Sequence, residues 1–184
     1  MIAIIAEKPS VGMDIARVVG ADTRNDGYCS GNGYMVTWAL GHLVSLATPD
    51  TYGYTKTAAE DLPMLPDPFR LVSRQMRTDR GMVTDIAASK QLKVIESVFN
   101  RCDSIIVATD AGREGELIFR WIYDFLGCTK PFRRLWISSL TDEAIRKGLE
   151  ELKDGSEYDS LYAAADSRAK ADWLVGINAT RLFS

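Results

Sequence analysis

Two short apolar segments of the chain end in charged residues that could bind a metal ion and a phosphate. The first opens the chain and is followed by Glu7 and Lys8, and the second, residues 104–109, is followed by Asp110 and Glu114. The carboxyl ends of neighbouring parallel strands lie at one edge of an open α/β sheet, where ligands bind. Carboxylates gathered beside a lysine suit a divalent cation and a phosphate group. The pattern therefore predicts that these four residues meet at one edge.

Each of these residues also has a purely structural interpretation. Asp110 could cap the helix that follows it, and Glu114 and Glu116 could simply favour the positive end of that helix. Lys8 could form a surface ion pair, which is worth roughly 0–1 kcal/mol. His42 is the only histidine of the chain, and a lone histidine is more often structural than catalytic. The residues alone leave both interpretations open.

A second charged pair lies near the end of the chain. Arg168 and Asp172 are four residues apart in a predicted helix and therefore share a face. That face also carries four apolar residues, namely Leu161, Ala165, Val175 and Ala179. Charges on an apolar stripe need partners or a wet groove. The pair is either a half-buried mutual ion pair or an arginine that the aspartate orients toward a phosphate or a base.

The elements that must position these residues alternate between strand and helix. Strands are expected at 2–6, 69–74, 104–109 and 132–137, and a hairpin is expected to pair 27–31 with 33–38. Helices are expected at about 11–19 with Ser10 as N-cap, at 82–100, at 113–126, from a Thr141 cap to about 153, and at 158–182. The alternation predicts an α/β fold with a mostly parallel sheet flanked by helices.

Composition limits the class of protein. The chain has 184 residues, of which 46% are hydrophobic and 26% charged, and no apolar run approaches the ~18–20 residues of a membrane span. The start lacks a basic leader and a small-residue cleavage site, so a cytoplasmic protein is expected. Three cysteines, Cys29, Cys102 and Cys128, are far apart and form no CxxC pair. This spacing favours reduced thiols over a disulfide framework or a zinc site.

The charge balance neither predicts nor excludes nucleic-acid binding. The net charge is −3 at pH 7, whereas nucleic-acid-binding domains are usually basic. Local arginine groups could still supply a basic stripe. One group comprises Arg70, Arg74, Arg77 and Arg80, and a second surrounds the acidic motif with Arg113, Arg120, Arg133 and Arg134. Scattered arginines can equally form a solvated surface.

Taken together, five segments resemble the amino-terminal part of type IA DNA topoisomerases, most closely bacterial topoisomerase III. The matching segments are IIAEKPSVGMDIARVVG, VTWALGHLVSL, IIVATDAGREGELIFRWI, RLWISSLTDEAI and SRAKADWLVGINATRL. The resemblance implies a Toprim domain, a Rossmann-like α/β fold, over residues 1–152. It further implies that residues 156–184 begin a neighbouring helical domain that lines a groove for single-stranded DNA.

The same resemblance implies roles for individual residues. Glu7 resembles the catalytic glutamate that handles the proton on the DNA 3′ oxygen, and Lys8 resembles the lysine that stabilises the pentacovalent phosphate. Asp110 and Glu114, with Glu7, resemble the ligands of Mg²⁺. Two further residues, Arg113 and His42, match positions near the family's active site. Arg168 and Asp172 match the helix that lines the DNA groove.

One position departs from the family pattern. The family's acidic motif is DxDxE, and its middle position here is Gly112. One carboxylate fewer predicts a weaker, more water-filled Mg²⁺ site. Glu116 could compensate, although it lies two residues beyond the motif.

The family attacks DNA with a tyrosine and forms a 5′-phosphotyrosyl link. None of the seven tyrosines here matches the motif of that tyrosine, which belongs to a later domain. We therefore expect a longer parent enzyme to act on DNA and this chain to be inactive alone. Two other interpretations stay open at this point. One is another Toprim enzyme, such as a primase or small nuclease, and the other is a non-catalytic receiver-like module phosphorylated on Asp110.

Overall fold

The computed structural model describes residues 1–54, 59–79 and 81–183. In chain order its strands and helices are β1 (Ile2–Ala6), α1 (Pro9–Val19), β2 (Thr23–Asn25), β3 (Tyr28–Gly31), β4 (Tyr34–Trp38), β5 (Val44–Leu46), β6 (Leu71–Ser73), β7 (Gln75–Thr78), β8 (Gly81–Thr84), α2 (Ile86–Arg101), β9 (Ser104–Ala108), α3 (Arg113–Phe125), β10 (Phe132–Arg134), α4 (Asp142–Glu150), β11 (Lys153–Asp154) and α5 (Asp159–Leu182). Short 3₁₀ turns occur at Pro49–Tyr52, Ala59–Asp61 and Gly155–Tyr158.

A mixed sheet organises the molecule. Over the described ranges it holds seven strands in the order β11-β10-β9-β1-β4-β3-β2. Its four central strands, β10, β9, β1 and β4, run parallel, whereas β11, β3 and β2 pair antiparallel at the edges. The predicted α/β fold with a mostly parallel sheet flanked by helices is confirmed.

Strands β1 and β9, in the middle of the sheet, are buried on both faces, as parallel strands usually are. Alternate residues of β1 point to opposite sides. Ala3 and Ile5 join the core that contains α2 and α3, and Ile4 and Ala6 join the core that contains α1 and α4. All four side chains are fully buried. This burial explains why the apolar runs of β1 and β9 are continuous rather than alternating.

Two predicted helix starts need correction. Helix α1 begins at Pro9 with Lys8 in the N-cap position, so Ser10 is not the cap; proline is favoured in the first turn, where its missing N–H has no partner to lose. The predicted 82–100 helix begins only at Ile86, because Asp85 caps it by accepting hydrogen bonds from the N–H groups of Ala87 and Ala88. The residues before Asp85 form β8, which pairs with β7.

The remaining elements agree with the sequence more closely. Thr141 caps α4 through a hydrogen bond from Ala144 N–H, although the helix ends at Glu150. The strands predicted at 69–74 and 132–137 shorten to β6 and β10. The predicted hairpin is the antiparallel pair β3–β4.

Helix α5 is 24 residues long and packs against α3. Trp121 Nε1 of α3 donates to Asp166 Oδ1 of α5 at 3.0 Å. Further along, Trp173 Nε1 donates to the carbonyl oxygen of Ala47, and Asn178 bonds the main chain of Met64. The helix is therefore anchored along its length. Within the described residues, no helix combines the length and the apolar composition that crossing a bilayer requires.

Candidate active site at the carboxyl edge of the sheet

The ends of β1 and β9 bring Glu7, Lys8 and Asp110 together. The strands are parallel neighbours with Ala6 in register with Ala108, so the residues after them emerge at one edge. Glu7 Oε2 accepts a hydrogen bond from the main-chain N–H of Asp110 at 3.1 Å. Lys8 Nζ lies 3.9 Å from Asp110 Oδ2. Two segments more than a hundred residues apart thus meet as the sequence predicts.

A cavity of about 330 Å³ opens at this edge. Its walls carry three carboxylates, two arginines, two glycines and one alanine, namely Glu7, Asp110, Glu114, Arg113, Arg168, Gly112, Gly115 and Ala165. Ala165 and Arg168 come from α5. The long terminal helix therefore contributes one wall and one cation to the same cavity as the acids.

Asp172 stands outside this cavity. Its Oδ2 is 3.8 Å from Arg168 Nε, and the side chains of the two residues are 74% and 68% exposed. An exposed pair at this distance is worth little, roughly 0–1 kcal/mol. The half-buried mutual ion pair considered from the sequence is wrong, because the pair is in solvent. Arg168 remains available to a ligand in the cavity.

Gly115 holds the turn after β9 close to α3. A Cβ at Gly115 would lie 2.0 Å from the carbonyl oxygen of Asp110, a distance no side chain tolerates. Thr109 Oγ1 closes the same turn by donating to the carbonyl oxygen of Gly115 at 2.7 Å. The close approach therefore requires glycine. Gly112 differs, since a Cβ there would meet nothing within 4 Å.

The interpretation of Asp110 as a helix cap is wrong. The N-cap position of α3 is Gly112, and no side chain caps the helix. Asp110 lies before the turn, and its carboxylate faces Lys8 instead. Glu114 does lie in the first turn of α3, where its negative charge interacts favourably with the positive end of the helix dipole.

His42 lies against the acidic edge. Its Nε2 is 3.1 Å from Glu114 Oε2, and its ring meets that of Trp121 edge-on at 6.1 Å. Arg74 fixes the main chain here, because its Nη1 donates to the carbonyl oxygens of Leu40 and His42. Arg74 is in turn paired with Asp85. The lone histidine is thus held at the site by contacts that sequence spacing does not reveal.

The three predicted metal ligands line one cavity without converging on one point. Across the described ranges, no group of three or more His, Cys, Asp or Glu side chains is gathered closely enough to hold an ion. Each carboxylate has another partner: Glu7 has the Asp110 N–H, Asp110 has Lys8, and Glu114 has His42. Carboxylate oxygens are the donors that Mg²⁺ prefers. The donor type fits Mg²⁺, and each carboxylate is engaged with a different partner.

Glu116 cannot replace the missing middle acid. The residue is fully buried, and its two oxygens accept from Arg120 Nε and Arg134 Nε, each at 2.9 Å. Residues two apart on a helix point to different faces, so Glu116 faces the interior while Glu114 faces the cavity. The suggestion that Glu116 compensates for Gly112 is therefore wrong.

Arg134 has a buried role at this site that the sequence did not indicate, although it belongs to the arginine group around the acidic motif. Its side chain is 1% exposed, and it donates to the carbonyl oxygens of Val107, Thr109 and Asp110 at 3.0, 2.7 and 2.8 Å. Burial lowers the pKa of Arg134, and the charge of Glu116 opposes that shift. The guanidinium thus fixes the main chain that carries Asp110. Its place at the end of β10, beside β9, was the available clue.

Known proteins resemble this chain in sequence and in fold. A family model described as the Toprim domain matches residues 2–140. The chain belongs to the Toprim family. DNA topoisomerase 3 from Shouchella clausii is 51% identical over 183 residues, and the Bacillus subtilis protein of the same name is 48% identical over 182. Both alignments cover 97% of this chain and 24% of the relative. The resemblance to bacterial topoisomerase III is confirmed.

A solved structure shares the Toprim fold. Full-length topoisomerase I from Thermotoga maritima superposes with a TM-score of 0.58 at 18% sequence identity. The match covers 94% of this chain and 24% of the Thermotoga chain. At this identity the likeness shows the fold. This Toprim chain spans about a quarter of the length of these relatives.

The arginines of this Toprim chain divide by burial. Arg134 is buried and Arg120 is 11% exposed, so neither offers a free charge to a ligand at the surface. Arg74 is also committed, to Asp85 and two carbonyl groups. Arg113 and Arg168 line the cavity. Arg80 of the first predicted group lies outside the described residues.

Proposed function

We propose that this chain supplies the Toprim site of a type IA DNA topoisomerase that binds single-stranded DNA and Mg²⁺. In the proposed reaction one DNA strand is cut, passed and religated through a 5′-phosphotyrosyl link. The observation that carries the proposal is the meeting of Glu7, Lys8 and Asp110 at one sheet edge, in a cavity that Arg168 of α5 also lines. Relatives named DNA topoisomerase 3 are similar over both parts of this arrangement, including α5.

Glu7 and Lys8 are proposed to act on the phosphodiester. A carboxylate at Glu7 can hold or release the proton of the DNA 3′ oxygen, and its hydrogen bond from Asp110 N–H fixes its position. The ammonium of Lys8 can stabilise the negative charge that develops on the phosphate. Arg113 on the cavity wall can contact the same group. We assign His42 the task of orienting Glu114, which it contacts at 3.1 Å.

We propose that Asp110 and Glu114, with Glu7, hold Mg²⁺. A bound Mg²⁺ supplies positive charge that offsets the charge of the phosphodiester. Mg²⁺ usually keeps several waters and takes one or two carboxylates, so the lack of an acid at Gly112 predicts weak binding rather than none. In the free protein Lys8 pairs with Asp110, and His42 contacts Glu114.

The DNA strand is proposed to run along α5. Arg168 lines the cavity and is exposed, so it can contact a phosphate or a base, and Asp172 can orient its guanidinium. We propose that residues 156–184 begin the helical domain that forms the DNA groove, and that 1–152 form the Toprim domain. The other domains of the longer polypeptide are the expected partners of α5.

We propose that this chain does not carry the tyrosine that attacks the DNA. None of its tyrosines matches the family's nucleophile motif, and none lines the described cavity. Without a nucleophile, covalent cleavage cannot proceed. We expect the purified 184-residue chain not to relax supercoiled plasmid with Mg²⁺ present. Relaxation by this chain would refute that part of the proposal.

Binding of single-stranded DNA tests the proposal directly. The chain should bind a fluorescent oligonucleotide, and the affinity should fall as salt rises because phosphate contacts dominate. Arg168→Ala should weaken binding by roughly three- to tenfold, since an exposed phosphate contact is lost. A matched control is Arg101→Ala, an exposed arginine at the end of α2 that does not line the cavity. Equal loss for both variants would contradict the assigned path.

A Toprim primase or nuclease would not require the α5 segment. Primer synthesis or DNA degradation by the chain with Mg²⁺ would favour that class instead. The similarity of α5 to the topoisomerase relatives, at 48–51% identity over 97% of the chain, supports the topoisomerase proposal.

A further inference from the structure

Beside the proposed active site, a solvent-facing aromatic pair marks a second surface. The rings of Trp136 and Tyr158 stack with centroids 4.6 Å apart and an interplanar angle of 22°. Trp136 remains 39% exposed, although the Arg134 guanidinium lies 5.1 Å from its ring. A large aromatic ring left in solvent and held rigid by two neighbours is suited to packing against another flat group.

Two lysines border this aromatic pair. Lys147 of α4 and Lys153 of β11 line the same cavity of about 280 Å³ as Trp136 and Tyr158. Both lysines are exposed, and within the described part of the chain neither forms a salt bridge. Glu151 is the only acid among the residues that line this cavity. The surface therefore offers aromatic rings beside two lysines that form no salt bridge within the described residues.

Residues that line two neighbouring cavities at once connect this surface to the proposed active site. Asp110 lines the active-site cavity and also a neighbouring cavity of about 300 Å³. That neighbour shares Ile137, Ser138 and Ser139 with the aromatic cavity. The segment after β10 thus forms a continuous path from Asp110 to Trp136. The exposed hydroxyls of Ser138 and Ser139 along it are suited to contact sugar or phosphate oxygens.

We propose that the surface formed by Trp136, Tyr158, Lys147 and Lys153 binds single-stranded DNA where it leaves the active-site cavity. Bases pack against the aromatic pair, and the lysines contact the phosphates on either side. Rings flanked by cations are the usual means of holding single strands without sequence preference. This inference rests on the proposed function and adds a second DNA contact to it, at the start of α5, where Tyr158 is the N-cap residue.

Charge reversal of the two lysines tests the surface. The double variant Lys147→Glu, Lys153→Glu should bind a fluorescent oligothymidine at least about fivefold more weakly than the parent chain. The slope of log affinity against log salt, which is negative, should become shallower by about 1.4, because each lost phosphate contact on a single strand contributes ~0.7 to its magnitude. Lys90→Glu with Lys93→Glu on α2 is the control. It changes the net charge equally on the opposite side of the sheet and should reduce affinity less than twofold.

Photocrosslinking identifies the residues in contact. An oligonucleotide that contains 5-bromodeoxyuridine should crosslink on irradiation to peptides that carry Trp136 or Tyr158. Crosslinks that map only to other parts of the chain would overturn the inference, and so would equal DNA binding by the two double variants. If Arg168→Ala still weakens binding in that case, the proposed function stands without this surface. If the parent chain binds no single-stranded DNA at low salt, the proposed function itself fails.

Discussion

Glu116 and Arg134 form a buried ion pair directly behind the acidic edge, with Arg134 Nε donating to Glu116 Oε2 at 2.9 Å and each side chain only 1% exposed. Arg120 bonds the second oxygen of Glu116 and also the Gly155 carbonyl and Asp159 at the start of α5. The pair therefore joins the turn that carries Asp110 to the base of the long helix. This network, rather than the exposed acids, fixes the main chain of the proposed site.

Removal of one partner of this pair should destabilise the fold strongly. Glu116→Ala leaves the buried Arg134 unpaired, and such changes cost about 3–5 kcal/mol of unfolding free energy. Urea unfolding followed by circular dichroism measures the loss. Glu96→Ala, on the exposed face of α2, is the control and should change stability by less than about 0.5 kcal/mol. A loss below about 1 kcal/mol for Glu116→Ala would contradict the structural role given to the pair.

Two glycines of the acidic motif should respond differently to alanine. At Gly115 the new Cβ would collide with the Asp110 carbonyl oxygen, so Gly115→Ala should cost about 2 kcal/mol or more by forcing the main chain to shift. At Gly112 a Cβ meets open space, and its extended main chain with φ 168° accepts any residue, so Gly112→Ala should be nearly neutral. Thermal unfolding of the two variants compares them. Equal stability would show that the turn is looser than described.

An acid at Gly112 should strengthen metal binding. Gly112→Asp restores the middle carboxylate of the family motif in space that is open. Mg²⁺ affinity, measured by calorimetry, should rise at least about threefold because one more hard oxygen donor faces the cavity. Gly176→Asp, which adds an acid to α5 in equally open space, should leave the affinity unchanged. An unaltered affinity for Gly112→Asp would place the ion away from this edge.

Asp85 should make stability depend on pH. Hydrogen bonds from Ala88 N–H and Arg74 lower the pKa of its carboxyl group in the folded chain. A group with a lowered folded pKa stabilises the fold above its unfolded pKa of about 3.9 and loses that contribution as pH falls through the folded value. Asp85→Asn keeps an N-capping oxygen but not the charge. The parent chain should exceed this variant in unfolding free energy at pH 7, and the difference should shrink below pH 4. A difference independent of pH would contradict this assignment.

The sequence predicted those features that depend on local pattern. The apolar runs of β1 and β9, the Thr141 cap and the span of α5 follow from periodicity and capping, and the meeting of Glu7 with Asp110 follows from parallel pairing. The features it missed depend on distant contacts. The sequence alone suggests that Glu116 is a surface acid, because its buried partner Arg134 is 18 residues away along the chain. The residues of β8 were predicted to be helical, because their spacing does not reveal that they pair with β7.

The site roles depend equally on distant contacts. Nothing in the spacing of His42 indicated that it would lie beside Glu114, because Arg74, which fixes its main chain, comes 32 residues later. The sequence also could not predict that the Arg168–Asp172 pair is exposed, because the apolar residues that share its face of α5 suggested partial burial. Amphipathic spacing identifies which side chains share a face, but tertiary packing decides whether that face is covered.

Mg²⁺ binding at the edge where β1 and β9 end underlies the roles proposed for this site. Titration of the ¹⁵N-labelled chain with Mg²⁺, followed by NMR, measures this binding. The largest shifts are expected for the amides of Glu7, Asp110 and Glu114, with Ala111 and Gly112 moving alongside, and much smaller shifts are expected in the distant β2–β3 hairpin. Shifts confined to that hairpin or to other regions, or none at millimolar Mg²⁺, would contradict it.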